Sequence, residues 1–70
     1  VEMRLALSQT LRTWRNKKRL TQGDLAKVLR SSQSRVAKME AADPTVSLDL
    51  LMRSLLHLGA TTKDIAKAIA

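Results

Sequence analysis

An all-helical fold is what this chain of 70 residues predicts, and three observations carry the prediction. Only two Gly and one Pro are present, too few for the tight turns of a small sheet. Apolar residues recur every three to four positions rather than every second one. Ser, Thr and acidic residues stand repeatedly just ahead of those apolar stripes, where helix starts need side-chain acceptors.

Met3, Leu7, Leu11 and Trp14 share one helical face, with Arg4, Arg12, Arg15, Lys17 and Lys18 mostly off it. Helix one therefore covers this stretch, beginning either near Met3 or at Ser8 acting as an N-cap. Thr21 followed by Asp24 is a capping-box pattern, and helix two carries Leu25, Ala26 and Leu29 on one side. Arg30 and Ser31 break that pattern. Ser32 offers the next N-cap, so helix three runs through Val36 and Met39 to about Ala41, with Asp43 and Pro44 as its stop signal. Ser47 and Asp49 open helix four, whose Leu48, Leu51, Met52, Leu55 and Leu58 form the most apolar stripe. Gly59 stands where a left-handed C-terminal residue belongs. Thr61 and Asp64 open a short fifth helix with Ile65 and Ile69. Residues 1–70 are expected to form a single compact domain of five helices, with a trimmed start inferred from the opening Val1. About three residues separate helices two and three, which defines a helix-turn-helix unit.

The chain holds 44% hydrophobic residues, enough for a packed core, yet no Phe or Tyr and one Trp, so Leu, Val and Ile must fill it. With no Cys and one His, disulfides, thiolate or histidine metal clusters and a thiol nucleophile are excluded. No spacing of His, Asp and Ser builds a nucleophile with its base, so no enzyme and no cofactor are expected. No apolar run approaches the ~18 residues of a membrane span. The expectation is a soluble cytoplasmic protein without a membrane partner.

Thirteen Lys and Arg against six Asp and Glu give a net charge of +7. From Arg12 to Lys38 there are nine basic side chains and one acid, Asp24, a local charge of +8, so the rest of the chain carries −1. Positive charge confined to the helix-turn-helix region is the signature of a phosphate-binding face, although a solvated charged surface has the same composition.

The order LeuThrGlnGlyAspLeuAla at 20–26, SerSerGlnSerArgValAlaLysMetGlu at 31–40 and SerLeuAspLeuLeu at 47–51 resembles the phage-repressor and Cro-like helix-turn-helix family, the xenobiotic-response-element family of bacterial regulators. The likeness runs from Leu11 to Leu58. It implies a lambda-repressor-like bundle that binds double-stranded DNA as a transcriptional repressor. Some short members of the group are antitoxins, so a protein-interaction module that covers a toxin and autoregulates its operon is the alternative.

Carried onto this sequence, the resemblance puts Gln22 at the opening of helix two, fixing a phosphate and bracing the first base reader. Gln33, Ser34 and Lys38 fall on the groove-facing side of helix three behind Ser32. A Gln amide can pair with adenine N6 and N7, and Lys can donate to guanine. Arg35 reaches a base or a phosphate. Arg12, Lys17, Lys18 and Arg30 supply further cations against the DNA backbone. Each residue singly also fits a plain solvated helix surface. Arg15 and Glu40 fall where the family joins helix one to the end of the recognition helix by a salt bridge. Trp14 is read as core, and His57 as a charge partner at the end of helix four.

Two positions depart from the family pattern. Arg30 replaces the usual turn Gly, and a non-Gly residue in the left-handed region costs ~1–2 kcal/mol. Ser31 replaces the branched apolar residue that plugs the turn. A looser or differently built turn is expected. So small a domain covers one half-site, which implies a homodimer with half-sites about 34 Å apart. The faces of helix four and of Ile65 and Ile69 are candidate dimer surfaces, or else core.

Overall fold

The computed structural model describes residues 2–70. Five helices follow in order: α1 (Met3–Lys17), α2 (Gln22–Leu29), α3 (Gln33–Glu40), α4 (Leu48–His57) and α5 (Thr62–Ile69), and no strand occurs among the described residues. The all-α class and the helix order agree with the sequence. None of the described helices is long and apolar enough to cross a membrane.

Helix starts follow the side-chain acceptors. Thr21 and Thr61 each accept the N–H of the third helical residue, and Asp24 and Asp64 reach back to accept the cap N–H, so both capping boxes are closed. Ser32 and Ser47 accept the N–H groups of Arg35 and Leu50, each at 3.1 Å. The start of α1 is set by Glu2, whose carboxylate takes the N–H groups of Arg4 and Leu5, each at 2.9 Å. Ser8 is therefore not an N-cap. It lies inside α1 and is fully buried.

The first four helices end alike. Beyond each, one residue takes a left-handed conformation: Arg19 (φ 57°), Arg30 (φ 53°), Ala42 (φ 56°) and Gly59 (φ 98°). After each, the next N–H reaches back five residues: Leu20 to Arg15, Ser31 to Ala26, Asp43 to Lys38 and Ala60 to Leu55. Each is a Schellman closure. The end of α3 is thus made by Ala42, before the Asp43–Pro44 pair comes into play. The turn between α2 and α3 is left-handed at Arg30, the position where the resemblance expects Gly, correcting the expectation of a looser turn. Closing two backbone hydrogen bonds holds the conformation despite the Cβ.

The core is aliphatic, as the composition requires. Leu7, Leu11, Leu25, Val36, Met39, Leu51 and Leu55 are buried, with Trp14, Leu20 and Leu29 packed against them. Burying a Leu or Val side chain contributes ~1.5–3 kcal/mol. α1 lies at the centre and packs on α3, α4 and α5, whereas α2 and α3 pack mainly on each other. Leu51, Leu55 and Ile65 are committed to this core, so most of the stripe that was a candidate dimer surface is internal. Of α4's apolar residues Leu56 is the exposed one, at 46%.

Candidate nucleic-acid interface

α3 is a short helix with two different sides. Val36, Met39 and Glu40 are buried, while Gln33, Ser34, Arg35 and Lys38 are exposed, as is the cap Ser32. The spacing of Val36, Met39 and Glu40 turns one face inward, which leaves the residues at the start of the helix facing solvent. Gln33 reaches over the first turn of α2: its Oε1 stands 3.5 Å from where a Cβ would sit on Gly23.

Glu40 fixes the inner end of α3. Its side chain is 1% exposed. Arg15 of α1 grips both carboxylate oxygens, Nε on one and Nη2 on the other at 2.9 Å, while Nη1 donates to the Leu20 carbonyl at 2.8 Å. Hydrogen bonding to Glu40 raises the guanidinium pKa further, so Arg15 stays charged. Gln22 Nε2 donates to the same carboxylate at 3.2 Å, and Arg12 Nε lies 3.7 Å away. One buried acid thus ties α1, the start of α2 and the end of α3. The salt bridge of Arg15 with Glu40 was legible in the sequence. The attachment of Gln22 and Arg12 was not, because nothing in their spacing distinguishes a residue facing a phosphate from one facing an internal carboxylate.

Along its other flank α3 borders a groove of about 380 Å³. Ser32, Ser34, Arg35 and Lys38 form one wall, and Thr45, Val46, Ser47 and Leu50 from the α3–α4 loop and the start of α4 form the other. Two cations and several hydroxyls in one concavity match a phosphodiester backbone chemically. Thr45 belongs to this concavity, although the sequence assigned it no role. Ser47 was legible only as a helix cap.

The remaining cations are not gathered there. Lys17 Nζ lies 5.9 Å above the Trp14 ring, and its charge adds to the forces holding the Asp64 pKa low, behind the hydrogen bonds from Thr61. Lys18 Nζ lies 3.9 Å from the position a Cβ would take on Gly59. Both therefore sit where α1 ends against the α4–α5 junction, at the opposite end of α4 from Ser47. Arg30 is exposed in the turn preceding Ser32. Among the described residues no cluster of His, Asp and Glu has the makings of a metal site.

A helix-turn-helix whose second helix is pinned from inside and open outside defines a class of nucleic-acid-binding domain. A family model described as a helix-turn-helix domain matches residues 6–68, and the chain belongs to that DNA-binding family. No curated protein and no solved structure matches it.

Proposed function

We propose that this protein is a sequence-specific regulator of transcription, a repressor of the phage-repressor and Cro-like type, in which the start of α3 reads the major groove of double-stranded DNA. The observation that carries this reading is the exposure of Gln33, Ser34, Arg35 and Lys38 on a helix whose opposite face is locked by Glu40 and the core. A recognition helix must present hydrogen-bonding side chains without moving when the groove closes around it. Gln33 and Lys38 are the base readers in this proposal, with Ser34 and Arg35 beside them. Ser32 and Arg30 hold phosphates at the start of α3 and in the turn before it, while the Gln22 side chain stays on Glu40 and only its backbone N–H, at the start of α2, is offered to a phosphate. Arg12, Lys17 and Lys18 supply a longer-range positive field. Residues 1–70 act as one domain, in the cytoplasm, as a homodimer on a two-fold site.

Selection of preferred duplexes from a random pool, followed by titration at several salt concentrations, tests the reading. A selected site with two-fold symmetry is expected. Gln33→Ala should lose ~1–3 kcal/mol on that site and little on random DNA. Equal losses on both would remove Gln33 from base reading.

A further inference from the structure

α3 and α4 are neighbours in the chain, yet they make little direct contact, since both pack chiefly on other elements. The groove lies between them, so the position of Thr45 and of the Val46 backbone on its second wall depends on the loop from Ala41 to Ser47, whose Val46 side chain is buried in the core, while Leu50 is carried by α4. That loop is largely satisfied within itself. Asp43 Oδ1 accepts from the Thr45 N–H at 2.8 Å and from the Thr45 hydroxyl, and the Val46 N–H donates to the Asp43 carbonyl at 3.0 Å. Its first turn is closed by the Asp43 N–H on the Lys38 carbonyl at 3.1 Å. Among the described residues, one hydrogen bond ties the loop to a helix other than the two it connects. Arg4 Nε, from the first turn of α1, donates to the Val46 carbonyl at 3.0 Å, partly buried and across 42 positions of sequence. The guanidinium Nη1 also lies 4.0 Å from the carboxylate of Glu2, the cap of the same helix.

We infer that Arg4 is a positioning residue for nucleic-acid binding: by holding the Val46 carbonyl it fixes the α3–α4 loop, and with it the distance between Arg35 and Lys38 on one wall and Thr45 and Ser47 on the other. The inference rests on the reading of α3 as a DNA-facing helix. Arg4 itself does not line the groove. Its effect passes through a backbone carbonyl, so the donor at Nε matters and the positive charge does not. A phosphodiester spanning the groove meets both walls only when their separation is held before binding.

Two substitutions separate donor from charge. Gln places its amide nitrogen the same number of bonds from Cα as the Nε of Arg, without the charge, whereas Met keeps the stem and has no donor. Amide hydrogen exchange across Thr45 to Ser47 is measured on the free protein, and affinity for the selected duplex and for random duplex is measured at several salt concentrations. Arg4→Met should speed exchange in the loop and weaken both duplexes by about two- to tenfold, the range of one hydrogen bond. Arg4→Gln should restore loop protection and most of the affinity. If Gln and Met weaken binding equally, Arg4 acts by charge and the inference fails. Unchanged loop exchange in Arg4→Met overturns it as well. Absence of duplex binding by the unaltered protein, with the loop loosened in Arg4→Met, would strike the DNA reading while leaving the anchor in place. Thermal unfolding of both variants identifies any general loss of structure. A Met variant that loses affinity only in proportion to global unfolding also counts against the inference.

Discussion

Arg15 and Glu40 are joined by two hydrogen bonds from one guanidinium to one carboxylate, and the acid is almost wholly removed from solvent. Twenty-five positions of sequence separate them. The pair connects the central helix to the last residue of the helix that faces outward, so the outward helix cannot rotate without breaking it. A buried ion pair is not by itself a source of stability, because both charges lose hydration. Its value here is orientation, since a bidentate bridge restricts angle as well as distance.

Removing one partner leaves the other charge stranded. Arg15→Met is expected to destabilise the fold by about 3–5 kcal/mol, because Glu40 keeps only Gln22 and the more distant Arg12. Glu40→Gln should cost less, since the amide still accepts from Arg15 and the guanidinium retains some exposure. The double variant Arg15→Met with Glu40→Leu should cost less than the sum of the separate changes. Urea unfolding of the set measures this, and strict additivity would show that the two residues do not interact.

Ala42 occupies a left-handed position without needing a side chain there. Ala42→Gly should stabilise the protein by about 1 kcal/mol, raising Tm by about 4–8 °C in a domain of this size. Charge and the outward face of α3 are untouched, so DNA affinity should hold. Arg30→Gly relieves the same strain but removes an exposed cation beside Ser32. It is expected to raise Tm and weaken binding to selected and random duplex alike. A fall in Tm for Ala42→Gly would contradict the assigned backbone cost.

Ser8 and Ser31 each bury a hydroxyl oxygen that has no hydrogen-bond partner. An unpaired buried polar group costs ~1–3 kcal/mol. Ser8→Ala should therefore raise stability by about 1 kcal/mol, measured by thermal or urea unfolding. Ser31→Val, which restores an apolar plug to the turn, should act in the same direction. A loss of stability in Ser8→Ala would mean that the hydroxyl fills space the methyl cannot.

Asp24 and Asp64 have carboxyl pKa values below the ordinary range, chiefly because they accept the backbone N–H groups of Thr21 and Thr61. Asp43 is lowered mainly by the Thr45 hydroxyl, and Glu2 mainly by the Arg4 N–H. A folded pKa below the unfolded one gives stability that is present above the unfolded value, near 3.9 for Asp, and lost as pH falls through the folded value. Thermal melts should be flat above about pH 5 and decline below about pH 4. The double variant Asp24→Asn with Asp64→Asn should show a lower plateau and a shallower acid limb. An unchanged acid limb would assign the loss to other groups.

Local chemistry explains how much was legible in the chain alone. Thr21 with Asp24, Thr61 with Asp64, Ser32, Ser47 and Gly59 act on neighbours within a few residues, so their roles are written in adjacent positions. The aliphatic stripes follow the helical repeat, and they point to Leu11, Leu25, Val36 and Met39 as core, whereas Leu51 and Leu55 stay open between core and dimer surface until the helices are packed. Ser8 misled as a cap because Ser is equally acceptable inside a buried helix face, and Glu2 satisfied the first amides instead. The end of α3 near Ala41 is legible, but its stop signal is not Asp43–Pro44: Ala42, which closes the helix, carries no residue-type signal for a left-handed turn.

The sequence by itself determined the helices, their order, the aliphatic core and the concentration of positive charge between Arg12 and Lys38, since propensity, periodicity and charge are properties of nearby residues. Only the tertiary structure decided where the cations point. Arg12 and Gln22 turn toward Glu40, Lys17 and Lys18 toward the end of α4 and start of α5, and Arg35 and Lys38 toward the groove. Long flexible side chains settle on whichever acceptor, ring or carbonyl the packed helices bring within reach, and those partners lie far away along the chain.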